Sequence, residues 1–209
     1  MKVHTKETQE AMTPKKSLDY LKDGNQRFLT GTTVDRNLLE QINDTAEGQF
    51  PFATVLHCID SRVSAELLFD QGIGDIFSIR IAGNFVNEDI LGSMEFACKL
   101  AGTKLIVVLG HTSCGAVKGA CDHARLGNLT ALIEKIEPAV NAVKEPQDDT
   151  LRNSSNIEFV NNVAAKNVQM SIENIRNQSS VLVEMENNNE IMIVGAMYDV
   201  GTGSVSFNI

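Results

Sequence analysis

The sequence predicts an α/β protein: one domain on a central, mostly parallel sheet of four strands plus a short edge strand, flanked by helices. Three observations carry this. Short apolar runs alternate with longer stretches of helical periodicity. The runs over 52–58 and 104–110 are apolar enough to be buried strands. A chain of 209 residues is long enough for one sizeable core. There is no internal repeat and no low-complexity segment.

Each element has its own signal. Residues 1–12 are polar and are expected to be a mobile N-terminus. Thr13-Pro14 caps a helix over Lys15–Phe28, with Leu18, Leu21 and Phe28 on its apolar side. A second helical piece covers Arg36–Thr45, so 13–46 reads as a helical arm ahead of the α/β body at 47–209. Phe52–Cys58 is the first strand. Gly72 and Gly74 turn the chain into the second, Asp75–Ile81. Leu91–Leu100 reads as a helix and Lys104–Gly110 as the clearest strand. A helix is expected from about Cys114 to Arg125, and another from Thr130 to Lys144, ahead of Pro146. The polar stretch Glu145–Asn156 is a loop. Val160, Val163, Ala164, Val168, Ile172 and Ile175 recur at helical spacing. Glu190–Met197 is a fourth strand, and Val205–Phe207 a short fifth.

Composition excludes several functions. Hydrophobic residues are 43% and charged residues 22%, the balance of a globular chain. No apolar run reaches membrane-spanning length, and the first sixteen residues lack the apolar stretch of an export signal, so the expected address is the cytoplasm. Lys+Arg number 18 against Asp+Glu 27, a formal charge of -9. That surface repels phosphate backbones, so no nucleic-acid partner is expected. Four Cys in such a chain point to thiols or metal ligands rather than a disulfide framework.

Ligands of open α/β sheets gather beyond the carboxyl ends of the strands. Here the first strand runs out as Cys58-Ile59-Asp60-Ser61-Arg62 and the third as His111-Thr112-Ser113-Cys114-Gly115. If the first exit stays extended, Cys58, Asp60 and Arg62 share one side and His57 faces the other. Cys58, His111 and Cys114 make a Cys₂His set, the pattern of a catalytic zinc site with an open fourth position. Two other readings exist. A lone Cys is most often a small buried hydrophobe, the reading preferred for Cys98 and Cys121. A Cys nucleophile with a His base is a second enzyme reading, but it leaves the other Cys and the Asp–Arg pair without roles.

Four motifs resemble, in order, those of the β-class carbonic anhydrases: Cys58–Arg62, Ile81-Ala82-Gly83-Asn84, Leu91–Ala97 and Gly110–Val117. Leu21–Phe28 and Ala196–Gly203 are similar to that family's flanking segments. The resemblance is to its bacterial-type, open-site subgroup and spans about residues 17–209. It implies one zinc per chain on Cys58, His111 and Cys114, with Asp60 and Arg62 as the catalytic dyad. Gln49, Phe77 and Gly115 are implied as substrate-pocket residues, Gln49 reaching across a subunit interface. The implied reaction is reversible hydration of CO₂ to bicarbonate and a proton by zinc-bound hydroxide. The implied partner is the chain itself, as a homodimer or homotetramer whose arm packs on the neighbouring subunit. Phe96 stands where many members have Tyr, Ile59 where Ser is commoner, and Ser64 where Pro is. A CS₂ or COS hydrolase on the same fold and a non-catalytic zinc-bound binding module are the alternatives.

In one subgroup the counterpart of Asp60 leaves its Arg and binds zinc, stabilised by a bicarbonate held by Trp, Arg and Tyr. Those positions are Val55, Arg80 and Tyr198 here. Without the Trp the resemblance implies an open site, with Asp60 on Arg62 and on the metal only if the site closes.

Overall fold

The two central strands form where side chains are apolar on both faces. In the computed structural model, which describes residues 3–207, β1 (Ala53–His57) and β3 (Leu105–His111) are buried along their whole length. Alternation sorts their side chains into separate cores. Ala53, Val55, Leu105, Val107 and Leu109 pack on one face with Leu18, Leu21 and Leu68. Leu56, Ile106 and Val108 pack on the other with Val168, Ile172 and Ile175. The remaining strands are β2 (Ile76–Arg80), β4 (Met192–Tyr198) and β5 (Val205–Ser206), in the sheet order β2-β1-β3-β4-β5. The pairings are parallel except β4–β5, which is antiparallel. Register places His57 beside Arg80 and Leu109, and His111 beside Tyr198. The predicted sheet is the observed one.

Along the chain, α1 (Lys6–Glu10), α2 (Pro14–Thr30) and α3 (Leu38–Thr45) precede β1. α4 (Ala65–Leu68) joins β1 to β2, and α5 (Glu88–Glu95), extended by a π-helical turn at Phe96–Leu100, joins β2 to β3. Then α6 (Gly115–Cys121), α7 (Gly127–Glu134), α8 (Glu137–Ala142), α9 (Ile157–Gln178) and α10 (Ser180–Asn187) lead to β4.

Four expectations differ from this outcome. The stretch 1–12, expected to be mobile, carries α1, closed by a reciprocal cap between Thr5 and Thr8. Gln9 on it is buried, its Nε2 donating to the carbonyls of Pro51 at 2.7 Å and Ala101 at 2.8 Å; residues 1 and 2 lie outside the described residues. The helix expected over 130–144 is two, because Pro138 lacks an N–H and can sit only in a first turn, that of α8. The helix after Cys114 stops at Cys121, and His123 turns to a positive φ of 51°. α10 was not expected, although Ser179 caps it by accepting from the Leu182 N–H at 3.2 Å.

The segment 13–46 divides. α2 belongs to this chain's own core: Leu21 is fully buried, and Asn25 Nδ2 donates to the carbonyls of Leu68 and Gly203, both at 3.0 Å. α3 instead leaves Leu38, Leu39 and Ile42 exposed. The link between them is pinned by Asp70, whose buried carboxylate accepts from Arg27 Nε at 2.5 Å and from Arg36 Nη1. Burial pushes the Asp70 carboxyl up, but the two guanidinium groups outweigh it and hold it below the ordinary value. Its contribution to stability is therefore present above the unfolded-chain pKa and lost as pH falls through the lower folded one. Asp70→Ala leaves the buried Arg36 guanidinium without its partner and should cost about 3–5 kcal/mol in urea unfolding at neutral pH. A loss under about 1 kcal/mol would mean the pair contributes little.

Candidate metal centre

The ligand cluster is assembled at the carboxyl ends of the two central strands. Cys58 follows β1 directly, His111 ends β3, and Cys114 caps α6. Their ligand atoms all lie within 4.8 Å of one another, and all three residues are buried. The sulfurs of Cys58 and Cys114 are 3.9 Å apart. A tetrahedral zinc with bonds of about 2.3 Å to sulfur needs a separation of about 3.8 Å. His111 Nδ1 is 2.9 Å from the Thr112 carbonyl, which can only accept, so Nδ1 carries the proton. Its Nε2 is then a buried lone pair, and no hydrogen-bond partner meets it. An orphaned imidazole nitrogen facing two sulfurs fits a metal better than any protein group nearby.

The Cys114 turn is held from outside. Ser113 takes a left-handed φ of 56°, unfavourable for an L-residue, and its N–H donates to Asn161 Oδ1 on α9 at 2.9 Å. Thr112 is tied to the end of β4: its N–H donates to Tyr198 O at 2.9 Å, and its Oγ1 accepts from Val200 N at 3.0 Å. On the other side, the Gly83 N–H lies 3.4 Å from Cys58 Sγ. The Cys114 thiol and then the Gly83 N–H, both directed at its sulfur, hold Cys58 low, while the Cys58 thiolate and burial push Cys114 up.

Beyond Asp60 the exit of β1 does not stay extended: a turn opens at Asp60, with the Val63 N–H donating to Asp60 O at 3.0 Å. It folds Arg62 back onto Asp60, whose Oδ2 lies 4.0 Å from His111 Nε2. Arg62 grips the carboxylate with two parallel bonds, Nε to Oδ1 at 2.9 Å and Nη2 to Oδ2 at 2.7 Å, and adds its own backbone N–H. These hold Asp60 far below the ordinary carboxylate range. Arg80 secures the same segment, donating to the carbonyls of Cys58 at 3.2 Å and Asp60 at 3.0 Å.

The remaining candidates are scattered. His57 is buried on the face away from the metal ligands, between Ser78 Oγ at 2.7 Å and the Cys58 carbonyl, and burial pushes it down to about 4. Cys98 and Cys121 are buried apart from the cluster, each pushed up to about 11 by burial. Gly115 opens α6 at the exposed rim. Gln49 is exposed before β1, at the opposite end of the sheet from Cys58. Phe77 is paired with Thr54, four residues and about 13 Å short of the level of Cys58. Neither Gln49 nor Phe77 lines the cluster of its own chain. Asn161 has a structural part that no sequence signal marked, since it acts on a backbone N–H; Arg80, marked by the resemblance as an anion-pocket position, instead binds two carbonyls.

The carbonic anhydrase family model matches residues 53–205. The chain belongs to the β-class carbonic anhydrases. A carbonic anhydrase of Mycolicibacterium smegmatis is 34% identical over 191 residues, covering 88% of each chain. The β-carbonic anhydrase CafA of Aspergillus fumigatus superposes with a TM-score of 0.70 at 28% identity, over 81% of this chain and 80% of that one. A tetrameric β-carbonic anhydrase from Sordaria macrospora, 22% identical, shares the fold with a TM-score of 0.69, over 80% of this chain and 85% of that one. Among the described residues, no helix of this carbonic anhydrase is long and apolar enough to cross a membrane.

Proposed function

We propose that the protein is a lyase that interconverts CO₂ and water with bicarbonate and a proton, using zinc held by Cys58, His111 and Cys114. The unpartnered His111 Nε2, facing two sulfurs beside an Arg-bound carboxylate, carries the reading. Zinc in such a set supplies the Lewis acidity that makes water nucleophilic near neutral pH. Asp60, kept ionised and oriented by Arg62, accepts a hydrogen bond from the reacting water and turns a lone pair toward CO₂. The nearest histidine outside the ligand set, His57, is buried away from it, so the proton leaves to buffer at the mouth rather than through His57.

The site is of the open kind. Its support is the paired contact of Arg62 with Asp60, the engagement of Arg80 with two carbonyls, and Val55 where an anion pocket would need Trp. At pH 7.5 a crystal structure of the zinc form should keep Asp60 on Arg62, with water or a small anion as fourth ligand. Asp60 on zinc at that pH would overturn the open reading. Gln49 and Phe77, displaced from their own cluster, serve that of a neighbouring subunit in a homodimer or homotetramer, with α3 as the arm. Tetramers are named for the Sordaria relatives.

The test is stopped-flow CO₂ hydration on purified protein of measured zinc content, with COS and CS₂ run alongside. Hydration well above the buffer rate is expected. Stoichiometric zinc with no hydration would point to a binding module, and faster CS₂ or COS turnover to the hydrolase.

A further inference from the structure

We propose that Asn167 is a positioning residue that sets how strongly the Cys58 sulfur donates to the metal, acting through the turn that carries Gly83. The inference rests on the zinc reading above. Gly83 is the residue whose N–H lies 3.4 Å from Cys58 Sγ. Its φ is +79°, and a Cβ built there would lie 2.3 Å from Ile136 Cδ1, so this position has room only for glycine. Glycine has the least conformational restriction of its own; the direction of its N–H is set by the turn Ile81–Asn84, closed by the Asn84 N–H on the Ile81 carbonyl at 3.0 Å, and something must hold that turn in place.

Asn167 does so. It projects from α9, is 3% exposed, and donates Nδ2 to the Gly83 carbonyl at 2.7 Å. One residue thus has its carbonyl clamped from one side and its N–H aimed at a ligand sulfur on the other. The same helix supplies Asn161, which holds the N–H of Ser113 beside Cys114. One rigid element therefore references both thiolate ligands, Cys114 by the path of its turn and Cys58 by a donor to its sulfur.

An N–H pointed at a thiolate withdraws charge from it. The sulfur then donates less to the metal, and the metal keeps more of its Lewis acidity. In a site with two thiolates this matters more than in one built on imidazoles, because charge donation is already high. No titration of the free thiols enters the argument; the bond operates on the metal-bound thiolate.

Asn167→Leu removes the donor at nearly constant volume. Cobalt substituted for zinc in wild type should show thiolate-to-cobalt charge-transfer absorption. In Asn167→Leu that band should move to lower energy, because the sulfur loses its N–H and donates more strongly; zinc affinity measured by chelator competition should still fall about tenfold, because the Gly83 turn that pre-orients Cys58 is no longer held. Ile175→Ala, a truncation of a fully buried side chain two turns further along the same helix from Asn167, should lower Tm while leaving band and affinity unchanged. If Asn167→Leu lowers Tm but leaves the band and affinity as in wild type, Asn167 is structural only and the proposal fails. Should Asn167→Leu not accumulate as folded protein, Asn167→Ser, whose hydroxyl is too short to reach the carbonyl, is read in the same way. A wild-type protein that binds neither zinc nor cobalt would instead sink the metal reading itself.

Discussion

Replacing any one of Cys58, His111 or Cys114 by Ala should abolish stoichiometric zinc binding and, with it, CO₂ hydration. The reason is arithmetic as much as chemistry. Three ligand atoms within 4.8 Å of one another are the whole of the cluster among the described residues. A zinc left with two protein ligands is held far more weakly than one with three and is lost on dialysis. Asp60 lies near enough to be offered as a replacement, at 4.0 Å from His111 Nε2. It would have to leave a two-point contact with Arg62 to do so. Elemental analysis after dialysis checks this directly: wild type should hold one zinc per chain and each variant close to none. Cys98→Ala and Cys121→Ala provide the contrast, since both thiols are buried away from the cluster and should keep metal and activity. Full zinc in Cys114→Ala would overturn the assignment.

That site was legible in the sequence because its ligands sit where strands end, and strand ends are the most readable boundaries of a buried parallel sheet. β1 and β3 are mostly apolar and buried on both faces, so their runs stand out in the sequence and end beside Cys58 and His111. The parts that escaped depend on atoms the sequence does not display. The turn that folds Arg62 back onto Asp60 is closed by a backbone bond from Val63 N to Asp60 O, where alternation along an extended strand put Arg62 on the same side by a straight path. Asn161 and Asn167 act on an N–H group and a carbonyl, so no pairing of side-chain types announces them, and the carbonyl contacts of Arg80 are equally unannounced although resemblance marks its position. The helix expected over 130–144 broke at Pro138, a residue that could have been read as a boundary and was not. Gln49 and Phe77 are tied to the pocket by resemblance alone; register puts Phe77 opposite Thr54, well short of Cys58, and Gln49 precedes the start of β1.

The double substitution Leu39→Glu with Ile42→Glu should yield monomers that retain one zinc per chain yet lose most hydration activity. Leu39 is 74% exposed and Ile42 50%, on a helix whose neighbour α2 is anchored in its own core. Aliphatic side chains that open to water on one short helix are best explained by a second copy covering them. In a two-fold interface each substitution acts twice. Four aliphatic side chains, each contributing about 1–1.5 kcal/mol on completing its burial, sum to about 4–6 kcal/mol, before the repulsion of four new carboxylates is counted. That is a loss of roughly three to four orders of magnitude in association. The cluster at Cys58, His111 and Cys114 involves no residue of α3, so metal content should survive. Activity should not, because Gln49 and Phe77 would no longer reach a neighbour's metal. Light scattering with zinc analysis separates the outcomes. A dimer or tetramer that persists would show α3 is not the contact, and a monomer of undiminished activity would show that Gln49 and Phe77 serve no neighbouring site.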